Sequence, residues 1–133
     1  MAAEELWVKV ASSMRFFSNA DGTEKATALA IQSFGLRIKD CIYAILPTDR
    51  TAATTKIGAR HDEGPEAAPG YFTTHSTPVT VANIPSLGKL IRGQTNGANG
   101  ALLPYFAPTI LVLSSGGGQE SVVADVWVGG KPY

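Results

Sequence analysis

Charge is scarce in this chain. Its 133 residues hold eleven Lys plus Arg and eleven Asp plus Glu, a charged fraction of 17%, against about 25% in an average soluble domain. Because the two signs cancel, no net field draws the chain toward nucleic acid or an anionic membrane surface, and neither is expected as a partner. A small domain has much surface to keep wet. With few charges, that surface is either Ser, Thr, Asn, Gly and Ala or is covered by something else, and a slightly positive mean hydropathy points to self-association.

Cysteine is nearly absent. Cys41 stands alone, so no intrachain disulfide forms and the disulfide-rich secreted class is excluded. It lies in an apolar run between Asp40 and Ile42, a setting for a buried, inert thiol and not for an activated nucleophile. No apolar stretch approaches the roughly 20 residues of a membrane-spanning helix. Residues 1–5 are acidic where a leader would be basic, so synthesis in the cytoplasm is expected.

Catalytic motifs are missing too. Only His61 and His75 are available, and their spacing matches no metal motif with fixed helical or strand offsets. Solvated loop histidines are the expected state, with a loop-borne metal-dependent hydrolase using His61, Asp62 and His75 as a remote alternative. No Gly-x-Ser-x-Gly elbow and no phosphate-binding loop occurs. Asp62, Glu63 and Glu66 are close in sequence but sit in one Pro-flanked segment, where they solvate it. No catalytic residue, metal or cofactor is assigned.

What is present is β-strand patterning. Leu6, Val8 and Val10 alternate with Trp7, Lys9 and Ala11, and the strand extends through Met14 to Phe17 before a polar turn at residues 18–22. Residues 23–33 fit either a short helix, with Asp21 and Glu24 as a capping box, or a strand. Residues 36–46 read as a strand with Leu36, Ile38, Ile42, Ala44 and Leu46 on one face and Arg37, Lys39, Cys41 and Tyr43 on the other. Asp40 interrupts the apolar face and is expected at an edge or bulge.

Pro47 is expected to end that strand and to open a long irregular arm over residues 47–78, with a short strand around residues 54–59 inside it. Its large apolar anchors are Ile57, Tyr71 and Phe72. A short strand near residues 79–81 and a helical turn from Pro85 to Ile91 follow, then a flexible loop at residues 93–100. The β-branched runs at residues 109–113 and 122–128, joined through Ser and Gly, read as a β-hairpin with Val122, Ala124, Val126 and Val128 toward the core.

The expected fold is therefore mainly β over one domain, residues 1–133: an antiparallel β-sandwich, jelly-roll-like, or a small barrel, with one or two short helices and the long arm. Low charge, a β-rich core, a long arm and no assembled active site suit a non-enzymatic subunit that buries its surface against copies of itself or a larger shell. The leading expectation is a homo-oligomeric structural subunit of a virus particle, such as a bacteriophage capsid decoration or cement protein or another small coat or tail component. Its location would be the virion after synthesis in the host cytoplasm, with a purely cytoplasmic location as the alternative. A lectin-like module with Trp127, Tyr71 and Asn96 around a sugar is the runner-up. Ile57, Tyr71, Phe72, Trp127 and Tyr133 are the expected interaction residues.

Overall fold

The computed structural model describes residues 5–68, 70, 72–74, 79–84, 87–94 and 102–133. Among the described residues nine strands follow one another: β1 (Leu6–Phe17), β2 (Lys25–Ala28), β3 (Ile38–Arg50), β4 (Thr55–Gly64), β5 (Thr73–Thr74), β6 (Val79–Asn83), β7 (Ile91–Gln94), β8 (Tyr105–Ser114) and β9 (Ser121–Pro132). They form two antiparallel sheets that do not close into a barrel. Sheet A has the order β1-β9-β3-β7; sheet B has β2-β8-β4-β5, with β6 also pairing with β4.

The order encodes the winding. The first strand pairs with the last, β2 with β8, β3 with β7, and β4 with β5 and β6. The chain is thus one long hairpin whose ribbons are rolled together through the β9–β3 and β8–β4 ladders. This is the jelly-roll form of the β-sandwich. Every connection between consecutive strands crosses from one sheet to the other, except those at the hairpin tip between β4, β5 and β6.

That winding corrects the expected C-terminal hairpin. β8 lies between β2 and β4, and β9 between β1 and β3, so the two runs face each other across the core and share no ladder. The inward set on β9 is as expected: Val122, Ala124, Val126 and Val128 are all fully buried. They meet Phe106, Ile110 and Val112 of β8, Cys41, Tyr43 and Ile45 of β3, and Ile57 and Ala59 of β4.

On β3 the expected faces are exchanged beyond Asp40. That residue has φ +54° and lies within a register shift between Lys39 and Ile42, the bulge its position implied. The extra residue reverses the parity of the pleat. Ile38 points inward, but so do Cys41, Tyr43 and Ile45, leaving Ile42, Ala44 and Leu46 on the outer face.

Pro47 does not end β3, which continues to Arg50 with Pro47 opposite Ala124. The β3–β7 ladder covers only Ile42 to Ile45, so nothing there needs the amide proton that proline lacks. The Pro47 carbonyl accepts from the Gly88 N–H at 2.8 Å.

The irregular stretch is likewise shorter than expected, since β4 occupies Thr55–Gly64 inside sheet B and pairs along its whole length with β8. Residues 65–67 are exposed bends. Residues 25–28 are strand and not helix, paired with β8. Where a helical turn was expected, residues 87–88 form a turn and Ile91 opens β7; Pro85 and Ser86 lie outside the described residues. None of the described residues forms an α-helix, so the short helices are absent from this part of the chain.

Candidate functional site

The outer face of sheet A carries the chemistry that the core does not explain. Strand register sets the residues Lys9, Trp127, Ala44 and Arg92 side by side across four strands. Two residues further along, on the same face, Trp7 lies opposite Gly129. A Cβ on Gly129 would come within 2.3 Å of the Trp7 ring, so this glycine lets the indole lie flat on the sheet. Trp7 Nε1 donates to Glu5 Oε2 at 3.2 Å.

Both tryptophans of the chain thereby flank an open cleft of about 410 Å³ lined by Trp7, Ala44, Leu90, Arg92 and Trp127. Ala44, 5% exposed, lies low between them, whereas Trp7 and Leu90 are 38% and 49% exposed. Cations sit over the indoles: Lys9 Nζ lies 5.1 Å from the Trp127 ring centroid and the Arg92 guanidinium 5.8 Å from that of Trp7. Lys9 is also 3.7 Å from Asp125 Oδ1, which accepts the Ser13 N–H at 2.7 Å. Arg92 has no ion pair among the described residues.

The lining holds no nucleophile and no group able to shuttle a proton near neutrality. What it offers is aromatic and aliphatic area beside positive charge, the composition of a contact hot spot.

Of the expected interaction residues, Trp127 is in this cleft. Tyr133 is 68% exposed at the end of β9, with the Arg37 guanidinium 5.3 Å from its ring, apart from the cleft. Phe72 is half-buried between β4 and β5, and Tyr71 lies outside the described residues. Ile57 is fully buried in the core and is corrected from a contact to a packing residue. Trp7, Leu90 and Arg92 were not singled out by the sequence, although alternation along β1 already turns Trp7 away from Leu6 and Val8.

Among the described residues, the histidine-based alternative is not assembled. His61 is a fully buried inward residue of β4, not a solvated loop residue. Its Nε2 is 3.2 Å from Glu63 Oε2, which also accepts the Leu103 N–H at 3.0 Å, and its ring stacks 6.3 Å from that of Tyr43. Burial pushes the Tyr43 phenol well above its ordinary pKa, and its hydroxyl donates to the Arg60 carbonyl at 3.0 Å. By the pleat, Asp62 lies on the opposite face of β4, 3.8 Å from Arg60. His75 and Asn96 are outside the described residues.

The strand order and the two-layer core define the chain as a jelly-roll β-sandwich. Among solved structures it is similar to VP2 of infectious bursal disease virus in a subviral particle, with 13% identity, a TM-score of 0.59, and coverage of 96% of this chain and 33% of that one. Similar values hold for T=1 particles derived from the same virus (14% identity, TM-score 0.55, 96% and 32% covered). They hold also for the complete viral particle (10%, 0.57, 96% and 31%). The chain spans about a third of the length of these proteins. At such identity the likeness is one of fold. No protein-family model matches the sequence, and no curated protein does either.

Proposed function

We propose that this chain is a structural subunit of a virus particle that works by contact with copies of itself and with a larger shell. A bacteriophage capsid decoration or cement protein, or another small coat or tail component, is the role that fits its low charge and β-sandwich framework. The observation that carries the reading is the apolar outer face of sheet A, where, among the described residues, no layer covers both tryptophans and Leu90 on a jelly-roll framework. Its location follows as the virion, after synthesis in the host cytoplasm.

Gel filtration with light scattering across a concentration series tests this. The expected result is a mass above the 13.9 kDa monomer that rises with concentration. A clean monomer at every concentration, with no affinity for a shell, contradicts it. Trp127→Ala is expected to weaken association by roughly 30-fold, the equivalent of about 2 kcal/mol for a hot-spot tryptophan, with far-UV circular dichroism unchanged.

The paired indoles also favour a second reading, a carbohydrate-stacking module. Sugar sites need several converging hydrogen-bonding groups, and among the described residues Arg92 supplies the one charged side chain in the cleft lining. A glycan array read with the parent chain and Trp127→Ala separates the two: Trp127-dependent sugar binding replaces the shell reading.

A further inference from the structure

We propose that the cleft between Trp7 and Trp127 receives the loop after β4 of a second copy, with Glu66 of the incoming loop against Arg92. The inference rests on the shell-subunit reading and gives it a specific contact.

Three observations support it. The loop is of the right chemistry: Pro65, Glu66, Ala67 and Ala68 combine a proline and small apolar side chains, which suit an aromatic-lined groove, with one acidic side chain. It is available, since Pro65, Glu66 and Ala67 are exposed.

Its charge also complements the cleft. Arg92 is exposed beside Trp7, and neither Arg92 nor Glu66 has an ion pair among the described residues.

The contact is placed between copies because the cleft lies on the outer face of sheet A, whereas the loop follows β4 of sheet B, and no described loop residue is among those that line the cleft of its own chain. The contact is then head-to-tail, joining unlike surfaces, the type that builds rings or extended arrays and not closed pairs.

Sedimentation velocity of the full chain tests this with two exposed-residue variants, Arg92→Glu and Glu66→Arg, and their combination, with thermal melts as the folding control. Each single variant is expected to weaken association by about tenfold or more, and the double variant to recover it to within about threefold. An equimolar mixture of the two singles is expected to recover association, with the two variants alternating head-to-tail, because each one's loop complements the other's cleft.

Singles that associate as tightly as the parent overturn this contact while leaving the shell reading in place. Loss in Arg92→Glu alone, with Glu66→Arg neutral, shows that the cleft takes a different occupant and likewise overturns it. A parent chain that stays monomeric overturns the contact and the self-association reading together.

Discussion

Glu120 shows how single side chains close this fold. It directly precedes β9, is 9% exposed, and its carboxylate accepts the Thr54 hydroxyl at 2.9 and 3.1 Å and the Thr55 hydroxyl. Its N–H donates to Ser18 Oγ at 2.9 Å, and its carbonyl accepts the Ser18 N–H at 2.8 Å. One residue thus ties the β1–β2, β3–β4 and β8–β9 corners. The Ser114 hydroxyl, then those of Thr55 and Thr54, hold its pKa below the ordinary value against the opposing effect of burial.

A carboxylate whose pKa is lowered on folding stabilises the native state above its unfolded pKa, about 4.3, and that contribution is lost as pH falls through the lower folded value. Glu120→Gln is expected to cost roughly 1.5–3 kcal/mol at neutral pH and to flatten the loss of stability on acidification. Urea melts at neutral and acidic pH read both; an unchanged acid profile removes Glu120 from this role.

Neighbouring glycines separate site from scaffold. For Gly129→Ala the three nearest atoms all belong to the Trp7 indole, a surface side chain, so the change is expected to displace the ring and weaken association with little change in melting temperature. Gly130→Ala meets Ile38 and the Lys39 carbonyl and is expected to destabilise by about 1–3 kcal/mol. Cys41 was readable as buried, and it is. His61 was not readable as buried, because its charged sequence neighbours Arg60, Asp62 and Glu63 mask a strand whose inward positions alternate with them.

At the scale of elements, the sequence carried strand existence better than strand partnership. β1, β3, β8 and β9 were all visible as alternating or β-branched runs. Alternation states which residues share a face and says nothing of which strand lies beside them. The same Ser and Gly linker serves a hairpin within one sheet or an arch between two, and only the rolled topology decides for the arch. In β3 the position of the bulge was legible at Asp40, yet its consequence, reversal of the inward set, was not carried through to Tyr43 and Ile45.

The loop after β4 gives a test at this scale. Glu63 pairs with Thr73 and accepts from Leu103, so a removable segment begins after Gly64. Deleting residues 65–70 is expected to leave the circular dichroism spectrum intact and to weaken association. A deletion variant that associates normally contradicts a role for the loop between subunits.

For the whole molecule, the low charge density seen first in the composition has a location. The interior is filled by one continuous cluster between the sheets, and the apolar residues left over are gathered in part on sheet A, where Trp7, Leu90 and Trp127 border one cleft. Composition told that apolar surface would be left over; it could not tell where, because Trp7, Ala44, Arg92 and Trp127 come together only through the ladders of β1, β9, β3 and β7.

Hydroxyl-radical footprinting of the chain, dilute and associated, tests the central claim most directly. Oxidation of Trp7 and Trp127 is expected to fall several-fold on association while that of Tyr133, outside the cleft, stays constant. Equal oxidation of both tryptophans in the two states would contradict the assignment of this face as the contact surface.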